Sequence, residues 1–423
     1  MNIVFLCLGS RGDVQPYVAI GKTAKESGHN VAICTGKTFK EFVEKNGLVY
    51  KDCSLDFMEI LNTEEGRQVF EEGLKHPIKA FKYARRVVNP LFRKAMSEFY
   101  MACKNMDIVI YHPKAFGATD IAEKLGIPCI SMPPIPIIYP VSTFPNLALT
   151  TKNLGSFLNK LTYKLTNTGA ESNNIKDINH FRVNELQLKK RRSGEYMINM
   201  NGNPIPIVYP ISPSLFINVE EFKNKVALTG FPVLNTSDTL DEKTIEFLNN
   251  GKEPIVVTFS SMPLKNPKIF LNKIIDSILE SRNRGIIITG NSGIDMVSVN
   301  DNILFKEFLP HDKIFSHSKG ILHHGGVGTM AAALRSGKPQ AIMPFNVDQP
   351  FWAKKLYESG YSLRPLKESD PKNQFIDTFR EMDNEKVIEM AEKISRILNN
   401  ENANIEAVIY IEKIYKEWNG KNE

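Results

Sequence analysis

The sequence has few of the features that mark several broad classes of protein. Its five cysteines form no Cys-x-x-Cys pair and are odd in number, so we expect reduced thiols and a cytoplasmic location. No apolar run approaches the roughly 20 residues of a membrane-spanning helix. The opening run lacks a basic leader, and we interpret it as a first buried strand. The 53 basic residues barely exceed the 47 acidic ones, which does not indicate nucleic-acid binding.

The common nucleotide and metal motifs are also absent. The chain has neither G-x-G-x-x-G nor G-x-x-x-x-G-K-[ST]. Without the first motif, and without the acidic residue about 20 positions after it, an NAD-dependent dehydrogenase is a poor interpretation. No Asp-x-Asp motif stands at a strand end, so we expect no metal and no cofactor.

Two stretches of the chain alternate short apolar runs with helical patterns. The first begins with the run 2–8 and a helical pattern at 14–27, and the second begins at 254–261 and continues with helices at 267–280, 327–336 and 350–358. Continuous apolar runs between helices are typical of parallel sheets that are covered on both faces. We predict an α/β protein with two Rossmann-like, doubly wound domains and a cleft between them.

The amino-acid composition between these stretches suggests domain boundaries. Pro-rich segments interrupt regular structure from about 133 to 215. We predict an acceptor-binding domain over 1–215, a linker over 216–235, a nucleotide-sugar-binding domain over 236–400 and a helix over 401–423 that packs back on the first domain.

The stretch "HHGGVGT" at 323–329 stands where a strand gives way to a helix. Glycines there let the backbone approach a ligand, and the free N–H groups of the helix favour a phosphate. His324 and Thr329 add hydrogen-bond donors. The alternative is a tight strand-to-helix turn without a ligand.

Longer motifs resemble one family. "GILHHGGVGTMAAALRSGKPQAIMPFNVDQPFWAKKL" resembles the donor signature of the nucleotide-sugar glycosyltransferases of the GT-B fold, in the branch that holds sterol glucosyltransferases and the transferases of glycopeptide and macrolide antibiotics. "LGSRGDVQPYVAIGKTAKESGHNV" resembles the opening of that branch. "DIVIYHPKAFGATDIAEKLGIP" and "VALTGFPV" are similar to its middle and its interdomain link. The resemblance spans nearly the whole chain in the right order.

The resemblance implies a set of donor-binding residues. Those on the diphosphate are Ser261, His324, Gly325, Gly326, Val327, Gly328 and Thr329. Asp348 and Gln349 would bind hydroxyls of the donor sugar, and the segment with Leu309 and His311 would form the nucleobase pocket. Plant-type members carry a Gln near the position of His311 and a tryptophan before that loop, so the identity of the base stays open.

Asp13 and His112 are the candidate catalytic residues. In the family, a carboxylate after the first strand accepts the proton of the acceptor hydroxyl, a role that the resemblance gives to Asp13. The alternative for Asp13 is a helix N-cap, and a helix N-terminus would lower its pKa and weaken it as a base. His112 ends a strand of the first domain and is the candidate partner of Asp13.

The implied reaction is an inverting, metal-independent transfer of a hexose from UDP-glucose to a hydroxyl of a small lipophilic acceptor, a sterol-like lipid or a secondary metabolite. Two alternatives stay open. One is a dTDP-deoxysugar transferase of the rhamnosyl type, and the other is a catalytically silent subunit that binds a sugar nucleotide.

A basic stretch at 75–94 has helical spacing and apolar neighbours. Its basic residues are Lys75, Lys79, Lys82, Arg85, Arg86, Arg93 and Lys94. Such a helix is typical of peripheral contact with an anionic membrane, here on the inner face, and a solvated charged surface is the alternative.

Overall fold

The computed structural model describes residues 1–72, 76–235, 238–259, 266–290, 300–345 and 348–422. Ser261 and Lys75, two of the predicted functional residues, lie outside these ranges. The chain divides into two compact units. One contains Met1–Leu234 and Asn402–Glu423, and the other contains Asn235–Glu401.

Strands and helices alternate along most of the chain. The strands are β1 (Asn2–Leu6), β2 (Asn30–Gly36), β3 (Val49–Cys53), β4 (Ile108–Tyr111), β5 (Cys129–Ser131), β6 (Asn199–Met200), β7 (Asn203–Pro204), β8 (Val208–Tyr209), β9 (Ala227–Leu228), β10 (Ile255–Thr258), β11 (Gly285–Ile288), β12 (Ile303–Lys306), β13 (Gly320–His323) and β14 (Gln340–Ile342). The α-helices are α1 (Arg11–Glu26), α2 (Lys40–Lys45), α3 (Phe57–Asn62), α4 (Glu64–Glu72), α5 (Pro77–Tyr83), α6 (Asn89–Cys103), α7 (Ala118–Leu125), α8 (Ser156–Ala170), α9 (Ile175–Asn184), α10 (Glu242–Asn249), α11 (Pro267–Glu280), α12 (His311–Ile314), α13 (Val327–Ser336), α14 (Gln349–Glu358), α15 (Lys372–Glu381), α16 (Glu385–Asn399) and α17 (Ala403–Asn422). A π-helical turn, Ala84–Val88, joins α5 to α6.

The first unit is built on a parallel sheet with the strand order β3-β2-β1-β4-β5. The sequence of β1 explains why it is central, because side chains alternate between the two faces of a strand. Ile3 and Phe5 enter the core that includes Val18 of α1, whereas Val4 enters the core that includes Phe99 of α6. A continuous apolar run is therefore needed, since each buried side chain of this kind contributes about 1.5–3 kcal/mol.

The second unit repeats this plan with the order β12-β11-β10-β13-β14, again all parallel. Ile255 and Val257 of β10 pack on the side that contains Phe270 of α11. Val256 packs on the opposite side with Phe315. The prediction of two doubly wound α/β sheets is confirmed.

Several helix bounds agree with the sequence-based expectations, and others differ for local reasons. The helices predicted at 267–280 and 327–336 have those bounds. The helix predicted over 401–423 corresponds to α17, which begins at Ala403 after α16 ends at Asn399. Buried side chains of α17, among them Val408 and Ile411, enter the core beside β1.

None of the helices in the described ranges combines the length and the apolar character needed to cross a lipid bilayer.

Candidate active site

Two strands of the first unit end side by side and bring the candidate catalytic residues together. β1 and β4 are paired, with Leu6 opposite Tyr111 at their carboxyl ends. His112 directly follows β4, and Asp13 lies in the first turn of α1. The Nε2 atom of His112 lies 3.2 Å from Oδ1 of Asp13.

The start of α1 differs from the prediction. The helix begins at Arg11, not Val14, because extended Ser10 takes the N-cap position and its backbone N–H donates to Oδ2 of Asp13 at 2.7 Å. Asp13 is thus the third residue of the helix, and the alternative that makes it the N-cap residue is wrong. Gly9 has a φ of +138°, and a Cβ at this position would overlap the Asp13 carboxyl group. Glycine is therefore required where the backbone passes this carboxylate.

The two oxygens of Asp13 have different surroundings. Oδ2 accepts hydrogen bonds from the backbone N–H of Ser10, from the Ser10 hydroxyl at 3.1 Å and from Nζ of Lys114 at 3.0 Å. Oδ1 accepts none of these three hydrogen bonds and lies close to Nε2 of His112. The side chain of Asp13 is 17% exposed, so the carboxylate is accessible at one edge. Oδ1 is therefore the oxygen with capacity for a further hydrogen bond.

The ring of His112 is buried, and one of its nitrogens is fixed. Nδ1 accepts a hydrogen bond from the backbone N–H of Lys114 at 3.0 Å, which places the proton of the neutral ring on Nε2. Nε2 is near Asp13 but has no well-aligned hydrogen bond to the residues that the structure describes. The pair is thus a close polar contact, and the Nε2–H group has no well-aligned acceptor among the described residues.

Opposing effects set the charge of this pair. Burial raises the pKa of Asp13, but the contact with His112 and the charge of Lys114 outweigh it and hold this pKa well below its ordinary value. Burial lowers the pKa of His112 and outweighs the opposite effect of Asp13. At neutral pH the site therefore holds a carboxylate beside a neutral imidazole.

The glycine corner of the second unit consists of residues 325–328, and its glycines have different surroundings. Gly325 has a φ of +88°, and a Cβ there would lie 2.7 Å from Cγ2 of Ile342. A Cβ on Gly326 would overlap the ring of His324. Gly328 is exposed, and a Cβ there would meet no atom of the described residues within 4 Å, apart from the backbone of its own helix. The fold therefore explains the first two glycines, but it leaves open space beside the third.

The two histidines of the corner have different surroundings. Nε2 of His323 lies 2.8 Å from Oε1 of Gln340, and Nδ1 accepts from the N–H of Gly325 at 3.1 Å. His323 is thus a satisfied structural residue. Nδ1 of His324 is buried without a partner in the described part of the chain. Burial lowers the pKa of His324 to about 3, so its ring is neutral. Its Nδ1 atom has no hydrogen-bond partner among the described residues, which is uncommon for a buried polar atom.

Helix α13 begins beside this histidine without a side-chain cap. Gly326 occupies the N-cap position, and Val327 is the first helical residue. The Thr329 side chain lies in the first turn and is buried. The N–H groups of such a first turn and the helix dipole attract an anion. The predicted phosphate residues His324 to Thr329 thus form one continuous corner.

Asp348 and Gln349 stand at the start of α14, and both side chains make internal hydrogen bonds. Oδ2 of Asp348 accepts from the indole N–H of Trp352 at 2.7 Å. Oε1 of Gln349 accepts from the backbone N–H of Phe345 at 2.8 Å, and Gln349 is buried. These bonds join the start of α14 to Phe345 and to its own next turn, and the predicted contact with sugar hydroxyls stays a prediction.

The segment predicted to hold the nucleobase has a mixed arrangement. The Leu309 side chain is buried in the core with Phe315. The ring of His311 stacks on Phe315 with a centroid distance of 4.7 Å. Burial lowers the pKa of His311 to about 4. Phe308, which the sequence analysis did not select, is 71% exposed just before this segment.

Sequence reasoning missed two side chains at these sites. Lys114 lies two residues after His112, and its side chain contacts Asp13. Its position at the same strand edge as His112 was the signal that could have identified it. Phe308 is a large apolar residue at the end of a polar run after β12, a pattern that marks it as a loop aromatic.

Two family models match separate parts of the chain. The N-terminal domain of glycosyltransferase family 28 matches residues 3–137, which include Asp13 and His112. The C-terminal domain of the erythromycin biosynthesis protein CIII-like family matches residues 273–411, which include the glycine corner. Asp13 and His112 thus lie in one matched region, and the glycine corner lies in the other.

A curated relative matches most of the chain. The sterol 3-beta-glucosyltransferase UGT80A2 of Arabidopsis thaliana is 29% identical over 427 residues, which cover 95% of this chain and 63% of the plant protein. The chain therefore spans less than two thirds of the length of that relative.

Solved structures share the fold. The glycotransferase of kitacinnamycin aligns with a TM-score of 0.71 at 15% identity and covers 98% of both chains. The glycosyltransferase VinC, in complex with dTDP, aligns with a TM-score of 0.69 at 15% identity and covers 99% of this chain and all of its own. The fold of this chain is therefore GT-B.

Proposed function

We propose that this chain, a member of the GT-B glycosyltransferases, transfers a hexose from UDP-glucose to a hydroxyl of a small lipophilic acceptor of the sterol type. The observation on which this depends is the glycine corner, where an uncapped helix start, a buried histidine nitrogen without a partner and open space beside Gly328 coincide. Similarity to the plant sterol 3-beta-glucosyltransferase supports glucose and a sterol as donor sugar and acceptor.

In the proposed donor site, the diphosphate lies against the first turn of α13. The N–H groups of this turn and the Thr329 hydroxyl donate to its oxygens, and His324 adds a donor from its neutral ring. These groups stabilise the charge that develops as the bond from the anomeric carbon to the phosphate oxygen breaks. No metal is needed in this scheme, since the helix start and the donors replace its charge.

In the proposed acceptor step, the hydroxyl oxygen attacks the anomeric carbon from the face opposite the departing diphosphate, which inverts the configuration. Oδ1 of Asp13 takes the hydroxyl proton, and the nucleoside diphosphate leaves with the electrons of the broken bond. A carboxylate of low pKa is a weak base. It suffices here because the hydroxyl proton becomes strongly acidic once its oxygen begins to bond to carbon.

We propose that the nucleobase packs against exposed Phe308, near His311. Flat aromatic surfaces bind bases without selecting one, so the same place accepts uracil or thymine. The complex of VinC with dTDP supports the alternative of a dTDP-deoxysugar donor.

One experiment tests the proposal. The protein is incubated with a sterol-containing lipid extract and, in separate reactions, UDP-glucose or dTDP-rhamnose, with and without EDTA. We expect UDP release and a mass gain of one hexose on a lipid, unchanged by EDTA. Transfer only from the dTDP sugar would support the alternative donor. Binding of UDP without any transfer would identify a silent sugar-nucleotide-binding subunit and contradict the proposal.

A further inference from the structure

Helix α8 of the first unit has its apolar side chains on the outside. Four of them are exposed, and Phe157 is the most exposed at 79%. They are Phe157, Leu158, Leu161 and Leu165. Their spacing places them on one side of the helix, which we call the outer face of α8. An exposed apolar strip of this kind is typical of an interaction surface.

The opposite side of α8 is polar and is held in place by the rest of the unit. Asn159 donates to the carbonyl of Ser142 at 2.8 Å and is fully buried. Thr162 accepts from the backbone N–H of Asn146 at 2.8 Å. Rotation of the helix to hide its leucines would break such hydrogen bonds, at about 1–3 kcal/mol for each buried polar group left unpaired. The outward direction of the apolar side chains is thus fixed by the fold.

The charged residues of the stretch that contains α8 have one sign. No acidic residue occurs between Met132 and Glu171, whereas the same stretch contains three lysines. Lys160 and Lys164 lie along one flank of the outer face by helical spacing, and Lys152 precedes the helix. Lys160 also pairs with Glu221 at 3.3 Å. Lys152 and Lys164 are exposed.

We infer that the outer face of α8 binds the surface of an anionic membrane. The apolar side chains enter the boundary between headgroups and acyl chains, and the lysines contact lipid phosphates. An apolar strip with lysines along one flank, whose own helix carries no acidic residue, matches this surface in both polarity and charge. The inference is independent of the proposed reaction and concerns a different segment from the basic stretch at 75–94.

Co-sedimentation with phosphatidylcholine vesicles, with and without phosphatidylserine, tests this inference on the full chain. We expect binding that needs phosphatidylserine and weakens with salt. The double variant Phe157→Ser/Leu161→Ser should bind at least about tenfold less, because it removes two side chains of large transfer free energy. Lys164→Glu should weaken binding only where phosphatidylserine is present. Circular dichroism and nucleotide affinity check that each variant folds.

Two control variants sharpen the result. Ile269→Ser removes an apolar side chain of the second unit that is 71% exposed, and it should bind vesicles like the wild type. Ile78→Ser/Phe81→Ser tests the exposed apolar residues of α5. The inference is overturned if wild type binds neither vesicle, or if the α5 variant loses binding while the α8 variant keeps it. It is also overturned if sedimentation velocity shows a wild-type dimer that the α8 variant dissociates.

Discussion

Lys114 and Asp13 are 101 positions apart in the chain, yet Nζ of Lys114 lies 3.0 Å from Oδ2 of Asp13. Together with the donors of Ser10, this contact occupies Oδ2 and makes no hydrogen bond to Oδ1, the oxygen that we propose takes the substrate proton. The arrangement orients the carboxylate and keeps it ionised.

We expect Asp13→Asn to lower kcat by about 10²–10⁴-fold, since asparagine keeps the size of the side chain but cannot accept the proton. The dissociation constant for UDP, measured by calorimetry, should change little because the donor residues lie in the other unit. Glu41→Gln, which alters an exposed carboxylate of the first unit, is the matched control. Full activity of Asp13→Asn would remove the base from the mechanism.

Lys114→Met should move the acid limb of the pH profile of kcat/KM. The positive charge favours the ionised form of Asp13, so its removal raises the pKa of that carboxyl. Activity is lost when the base takes up a proton, and this loss would then begin at higher pH. Lys114→Arg should keep the wild-type profile. If Lys114→Met lowers kcat/KM equally at every pH, without a shift of the acid limb, Lys114 only anchors the loop.

Sequence patterns predicted the sheets and the glycine corner because these depend on neighbours along the chain. Apolar runs, glycines and helix starts are local sequence patterns. The structure around β1 and α13 agrees closely with these patterns. The contact of Lys114 with Asp13 depends instead on how the chain turns in the two residues after His112, which the sequence pattern does not specify. The burial of Leu309 was not predicted for a similar reason, because it depends on where α12 packs. The pattern of α8 would also predict its leucines to point inward.

Phe308→Ala should weaken the binding of UDP by about tenfold or more, because stacking of a base on an aromatic ring contributes about 1–3 kcal/mol. Phe308→Tyr keeps a flat ring and should bind like the wild type. Ile269→Ala provides a control, since Ile269 is equally exposed in the same unit. Isothermal titration calorimetry with UDP measures all three. Equal affinity in the alanine variant would place the base elsewhere.

The corner histidines should make the protein less stable in acid. Burial lowers the pKa of His323 to about 4, whereas its ordinary value is 6.5. As the pH falls from 6.5 toward 4, the unfolded chain takes up a proton that the folded chain refuses, so stability falls. The loss amounts to about 3 kcal/mol for this group alone, at about 1.4 kcal/mol for each pKa unit.

Urea unfolding at pH 7 and pH 4.5 measures this loss. His323→Gln should be less stable at pH 7 but should lose less stability on acidification than the wild type. His317→Gln replaces an exposed histidine and should keep the wild-type pH dependence. Identical pH dependence in the His323 variant would show that other groups cause the acid sensitivity.

Gly328→Ala separates the needs of the fold from those of the ligand. Outside its own helix, the added methyl group meets no atom within 4 Å in the described ranges, and alanine is favoured over glycine inside a helix by about 0.5–1 kcal/mol. The variant should therefore unfold at a higher urea concentration. If the diphosphate lies against the start of α13, the methyl group takes its space, and the dissociation constant for UDP should rise at least about tenfold, or 1.4 kcal/mol.

Gly169→Ala is the matched control, because it lies in α8 with open space around it and should gain stability without any change in UDP binding. A protein that is more stable and binds nucleotide less well would show that Gly328 is kept free for a ligand. If Gly328→Ala binds UDP as tightly as the wild type, the open space beside this helix start is not where the diphosphate lies.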